Sequence, residues 1–377
     1  MTWPDSSSLR VALLTYSTKP RGGVVHTLAL AEALAAAGAA VEVWTLGRGG
    51  DREFYRPVHP AVRLRVVPFP DLPGPDGEPE GVGPRIVRSI AVLRAALAAG
   101  LAADVVHAQD CLSANAALAV RPDTIRTVHH LDRFHTPELV RCHDLALRAP
   151  ARHVCVSAAV AEELARDWGI RATVIPNGVD AQRFTVAAGP GRAAERAAWR
   201  DRFGRFVLAV GGIEPRKGTL DLVDAVARLR RRRPGVRLVI AGGETLFDYR
   251  DYRARVLARA AELGVRPEIL GPVPHTQLPG LVAAAGVFAF PSMQEGFGLA
   301  AMEALAARVP VVVRDLPVLR EVFSGAVRFA ADVPALATAL GVALERPDPG
   351  RTAGGVELAT RHTWAAAAQA HLRLYAP

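Results

Sequence analysis

A chain of 377 residues, half of them apolar, is longer than a typical single domain and can fill two cores. No apolar run is long enough to span a bilayer, and Cys111, Cys142 and Cys155 are too few and too scattered for a disulfide framework or a CxxC metal pattern. The formal net charge of +9 invites a nucleic-acid reading, but lysine occurs only at Lys19 and Lys217, so the basicity reflects a general preference for arginine and no nucleic-acid partner is expected.

The start, MTWPDSSSLRVALL, has no basic segment ahead of its apolar one, so no signal peptide is expected. The expected place is the cytoplasm, with peripheral contact at the inner membrane face left open. In chain order, VALLTYS (11–17), VEVWTL (41–46), LRVVPF (64–69), DVVHAQ (104–109), IRTVHH (125–130) and HVCVSA (153–158) read as short buried strands. Helical segments alternate with them, the first being VVHTLALAEALAAA (24–37), closed by Gly38. Residues 70–84, rich in Pro, Gly and acids, read as a loop. The Gly-, Ala- and Arg-rich stretch 187–202 reads as a domain boundary.

A second series follows: FVLAVGG (206–212), VRLVIAGG (236–243), EILGPV (268–273), VFAFPS (287–292), VPVVVR (309–314) and AVRFAA (326–331). The run of four arginines at 230–233 reads as a helix end, where cations complement the dipole. HTWAAAAQAHLRLY (362–375) reads as a terminal helix anchored by Trp364. Short strand, turn, helix, repeated twice over, calls for an α/β fold of two doubly wound parallel sheets, with ligands beyond the carboxyl ends of strands in a cleft between the domains.

Segments just after strands carry the candidate chemistry. EGFGLAAME (295–303) reads as strand end, glycine turn and helix N-terminus, with Glu295 in the loop and Glu303 about two turns into the helix. Unpaired helical N–H groups favour phosphate there, while two carboxylates would accept from sugar or ribose hydroxyls; a nucleotide sugar has both groups. GGIEPRKG (211–218) puts Arg216 and Lys217 before another helix, a diphosphate clamp. Gly22 and Gly23 open a helix after the first strand, without the GxGxxG spacing of a dinucleotide site. PNG (176–178) is a turn signal. His129, His130 and Asp132 lie at a strand end; neighbouring strand residues point to opposite faces, so one histidine in a hydrogen-bonding or acid–base role is favoured over a metal site.

Together the GG loop, PNGVD, GG…PRKG, AGG, LGPV, EGFGLAAMEALA and the HTW helix resemble glycosyltransferase family 4, retaining nucleotide-sugar transferases with the GT-B fold, over most of the chain. HHLDRF resembles an actinobacterial subgroup. The resemblance implies residues 1–186 as an acceptor-side Rossmann-like domain, 203–355 as the donor domain, and 356–377 as a C-terminal helix packing back on the first. It implies Arg216 and Lys217 as diphosphate ligands and Glu295 near the donor sugar. It implies Glu303 on the ribose and Gly296, Phe297, Gly298 and Leu299 as backbone donors. Val273 would contact the base, Gly22 and Gly23 would line the opposite wall, and His129 would sit beside the reacting sugar. Gly212 stands where many members have arginine.

The implied reaction moves a hexosyl group from a nucleoside-diphosphate sugar to a hydroxyl acceptor with retention, without metal or other cofactor. A nucleotide-sugar epimerase on the same fold is one alternative; a non-catalytic sugar- or anion-binding protein is another.

Overall fold

Runs rich in Val, Leu, Ile and Ala, too short for helices and apolar on both faces, form strands buried between helical layers. The computed structural model describes residues 8–74, 80–132, 134–242, 249–346 and 348–376; the middle of the 70–84 loop (75–79) and Gly243 lie outside them. The strands are β1 (Arg10–Leu14), β2 (Ala40–Arg48), β3 (Val62–Phe69), β4 (Val105–Ala108), β5 (Ile125–Val128), β6 (Arg152–Cys155), β7 (Thr173–Val174), β8 (Phe206–Val210), β9 (Arg237–Ala241), β10 (Glu268–Gly271), β11 (Val287–Phe290), β12 (Val311–Arg314) and β13 (Arg328–Ala330). They make two parallel sheets, ordered β3-β2-β1-β4-β5-β6-β7 and β10-β9-β8-β11-β12-β13. In each sheet the chain works outward one way and then restarts the other way. The switch points lie between β1 and β4 and between β8 and β11, where open α/β sheets bind ligands beyond the strand ends.

The two sheets belong to separate compact units: residues 1–178 with 364–377, and residues 179–363. In the first, Val11 and Leu13 of β1 face a core shared with the helices Gly22–Ala36 and Trp364–Tyr375, while Ala12 and Leu14 face the helix Val82–Gly100. Period-two alternation thus feeds two apolar layers from one strand. In the second, Val207, Leu238, Ile240, Val287 and Val312 form one core with the helices Thr219–Arg230, Arg250–Glu262 and Val333–Glu345.

Three boundaries differ from expectation. The first unit ends at Gly178, not 186. The stretch 187–202 is mostly structured in the second unit: its helix Ala193–Phe203 stacks Trp199 on Phe203 at 5.9 Å and packs Glu195 against Gly280. And 356–377 is not one helix. Pro349–Arg361 belongs to the second unit and Trp364–Tyr375 to the first. No helix among the described residues is long and apolar enough to cross a membrane.

Candidate active site

The second unit's switch point is built from the segments after β8 and β11. After β8 the backbone turns at Gly211, whose φ of 142° favours glycine. A Cβ on Gly242, after β9, would collide with the Gly211 backbone, so the AGG motif serves close approach of two strand ends. Pro215–Lys217 then form one 3-10 turn, and Gly218 (φ 65°) opens the helix Thr219–Arg230. Gly218 has no room for a side chain, because the Pro291 carbonyl lies against it. Met293 N donates to Arg216 O at 2.7 Å, which ties the cationic turn to the loop after β11.

Lys217 folds back along Gly211. Its Nζ donates to Glu295 Oε2 at 2.8 Å and lies 5.2 Å from the Phe290 ring centroid. Arg216 is 3.7 Å from the same oxygen and 2.6 Å from Glu214. Sequence reading missed Glu214 and Phe290: neither has a spacing that betrays its contact. Past Glu295, Phe297 is buried, with its ring edge-on to His362 at 5.5 Å. Gly298 (φ 95°) caps the helix Leu299–Ala306 with no side-chain partner for the first N–H groups. A Cβ on Gly298 would sit 2.9 Å from Phe323 and 3.3 Å from Phe290. Lys217 and the uncapped helix start therefore lie against the same ring, Phe290, and an anion can address both.

Glu303 is the fifth residue of that helix, so it lies just over one turn in, not two; the helix begins only at Leu299. Burial raises its pKa to about 7, opposed by Arg183 and reinforced by Asp180. Arg183 in turn bonds the His275 carbonyl. Val273 is half-buried, just past edge strand β10, at the rim of the same sheet end.

In the first unit, Gly22 and Gly23 do not precede the helix but are its first two residues. A Cβ on Gly23 would touch the His129 ring at 3.7 Å. His129 follows β5, packs edge-on to His26 at 4.7 Å, and leaves Nε2 buried without a partner. Burial drives its pKa well below 6.5, with His26 and Arg126 pushing the same way, so the ring is neutral. His26 Nδ1 bonds Asn177 Oδ1 at 2.8 Å, which gives the PNG turn a partner 151 residues away. His130 turns aside to Asp132 at 3.1 Å.

The structure thus gathers Lys217, Arg216, Glu295, Gly296, Phe297, Gly298, Leu299 and, behind them, Glu303 on one sheet edge of the second unit. It gathers Gly22, Gly23 and His129 on one edge of the first.

Comparison with known proteins shows the family and the fold. The family description "Glycosyl transferases group 1" matches residues 196–349, and "Glycosyltransferase Family 4" matches residues 20–183. A D-inositol 3-phosphate glycosyltransferase of Xylanimonas cellulosilytica is 32% identical, over 99% of this chain and 98% of that protein. Among solved structures, a sucrose-phosphate synthase from Thermosynechococcus elongatus superposes with a TM-score of 0.76 at 23% identity, covering 97% of this chain and 98% of that one. The Anabaena protein Alr3699/HepE, solved with UDP-glucose, superposes at 0.71 with 19% identity, covering 97% and 99%. With two parallel Rossmann-like sheets and a full-length relative at this identity, the chain belongs to glycosyltransferase family 4 and is a glycosyltransferase of the GT-B fold.

Proposed function

We propose that the protein transfers a hexosyl group from a nucleoside-diphosphate sugar to a hydroxyl acceptor, with retention of configuration. The observation that carries this reading is the meeting of Lys217 and the uncapped start of the helix Leu299–Ala306 at the β8/β11 switch point. As the bond from the sugar to the diphosphate breaks, negative charge builds on the leaving oxygen. Fixed cations and helical N–H groups stabilise it there without reorganisation. Arg216 and Lys217 take the part that a divalent cation takes in other transferases.

The Lys217–Glu295 pair has a function in this reading. Without ligand, Glu295 neutralises Lys217 and Arg216. An arriving diphosphate takes over the cations and frees the carboxylate to accept from donor-sugar hydroxyls. Gly296, Phe297, Gly298 and Leu299 offer backbone donors, Val273 packs on the base, and Glu303 holds the ribose. On the first unit, Gly22 and Gly23 give close access to the backbone, and neutral His129 positions a sugar hydroxyl. The relative's acceptor, a hydroxylated ring in its printed name, agrees with a polyol acceptor. The cytoplasm remains the proposed setting.

Calorimetric titration of UDP and GDP, followed by NMR of the product anomer, tests the reading. Binding of one nucleotide that Lys217→Ala abolishes, and a product retaining the donor's configuration, are expected. Unchanged nucleotide affinity in Lys217→Ala would end the proposal.

A further inference from the structure

The cysteines, scattered along the chain, are gathered by the first sheet. Cys111 is the first residue of the helix Cys111–Leu118, directly after β4. Cys142 lies on the helix Pro137–Arg148, which follows β5, and Cys155 ends β6. Those strands are neighbours, in the order β4-β5-β6. Arg126, a buried residue of β5, lies in the field of all three sulfurs.

Two of the three meet. The Asn115 amide ties the two helices together at the cysteines themselves. Its Nδ2 donates to Cys111 O at 2.8 Å and to Cys142 O at 2.7 Å, and stands 3.5 Å from Cys142 Sγ. Ala114 and Ala146, one from each helix, share a small apolar cluster, and Cys111 packs against it. The Cys142 thiol is hydrogen-bonded to Cys111.

The two sulfurs play different parts. Cys142 is buried, whereas Cys111 is partly exposed. The hydrogen bond to Cys111, then burial, holds the Cys142 pKa well above that of an ordinary thiol. Cys142 therefore keeps its proton and donates it, and Cys111 accepts. Asp110, the helix N-cap, works against ionisation of Cys142, and Arg126 works for it. Cys111 stands at a helix N-terminus near a buried cation, the setting in which thiolates form and react. Cys155 lacks this setting: burial, opposed by Arg126, pushes its pKa up to about 12.

We propose that Cys111 and Cys142 form a reversible oxidation site for peroxides, with Cys111 the reacting sulfur and Cys142 the resolving one. Cys111 attacks one oxygen of hydrogen peroxide. The O–O bond breaks, a sulfenic acid forms, and the other oxygen leaves as water with the proton of the thiol. The Cys142 sulfur then attacks Cys111, the S–O bond breaks, and the departing hydroxide takes the Cys142 proton. Both thiols are oxidised to one disulfide while one peroxide is reduced to water. The new bond joins the helix that follows β4, a strand at this unit's switch point, to the helix Pro137–Arg148. The pair lies within the first unit, so it is independent of the transferase reading.

Peptide mass spectrometry tests the site on the unmutated protein. The protein is treated with hydrogen peroxide, denatured in iodoacetamide and digested. Cys111 and Cys142 are expected to lose their thiols together and to return as one linked peptide pair, with Cys155 alkylated; dithiothreitol is expected to restore all three thiols. No linked pair, or a link to Cys155, overturns the site. Cys142→Ser then separates the roles. Without a resolving thiol the sulfenic acid persists, so dimedone is expected to label Cys111 about tenfold more than in the unmutated protein. Labelling of Cys142 in Cys111→Ser, as fast as the unmutated protein loses thiols, overturns the assignment of Cys111 as the reacting sulfur.

Discussion

The two sheet edges are alike in topology and opposite in electrostatics. The second unit's edge holds charges in compensating pairs, Lys217 and Arg216 on Glu295, at a surface that remains 13 to 25% exposed at these side chains. The first unit's interior holds neutral imidazoles. His107 bonds Tyr375 and Thr127, each at 2.7 Å; His26 bonds Asn177; His371 bonds its own helix at Ala367 at 2.8 Å. Their rings cluster with Trp364 where the terminal helix meets the helix Gly22–Ala36: His26 lies T-shaped to Trp364 and His371, and His107 is tilted against His371. Charge pairs can be exchanged for a ligand, whereas His26, His107 and His371 already spend hydrogen bonds inside the fold. The second edge thus suits the proposed binding of the diphosphate, while His26, His107 and His371 hold the first interior together.

Acid is the most severe test. Burial lowers the pKa of His26 to about 3 and of His371 to about 4, and drives His107 and His129 well below 6.5. Below pH 6.5 the unfolded chain takes up protons that the folded one refuses. Stability is therefore complete above that pH and falls as pH drops toward the folded values. Each such histidine contributes about 1 kcal/mol between pH 6.5 and 5.5, approaching about 1.4 kcal/mol per pH unit further down, so four of them give about 4 kcal/mol over that interval. Calorimetric melts over that range should show the loss, and His371→Gln should make it shallower by one proton. A melting temperature flat from pH 7 to 5 would remove the contrast between the units.

Next in size is Lys217→Ala. Loss of one preorganised donor to the leaving group is expected to lower kcat about 100- to 1000-fold. The pair is partly exposed, so the melting temperature should barely move. A large loss of stability with activity retained would make the pair a structural strut.

Much of this was legible in the sequence. Every apolar run read as a strand is one, because parallel strands buried on both faces carry no alternation to confuse with a helix. β7 escaped notice: two exposed residues, Thr173 and Val174, form it by pairing with β6. The boundary at 187–202 was misplaced because Gly189 and Pro190 look like a linker, while Trp199 and Phe203 reveal a packed helix only once folded. In the site, the scarcity of lysine singled out Lys217, and its glycine-flanked position after a strand placed it. Glu214, Phe290 and the His26–Asn177 bond lay beyond reach, since contacts across 151 residues leave no periodic trace.

Glu303 sharpens the comparison with the opposite sign. Its folded pKa, about 7, lies above that of an unfolded glutamate, so the folded state holds a proton longer. Its contribution is complete at acid pH and declines as pH rises from about 4.5 to 7. If the carboxylate accepts from ribose hydroxyls, nucleotide binding favours the ionised form and releases up to one proton near pH 7. Titrations in buffers of different ionisation enthalpy measure that proton, and Glu303→Gln should release none. Equal release by both proteins would detach Glu303 from the nucleotide.

The smallest effect is Tyr375→Phe. The hydroxyl it removes bonds His107 Nδ1 in the buried join of the terminal helix, and burial has already raised the phenol's pKa. Removing it leaves the imidazole one partner short in a site that water does not reach, which costs about 1–3 kcal/mol. Because the variant starts out less stable, its acid unfolding midpoint should lie at a higher pH, while nucleotide affinity stays at the parent value. Denaturant unfolding at pH 7 and 6 reads the first, and calorimetry with the nucleotide reads the second. A variant that bound nucleotide tenfold more weakly while unfolding like the parent would show that the terminal helix serves the donor site, and the division between cohesive and exchangeable edges would have to be drawn elsewhere.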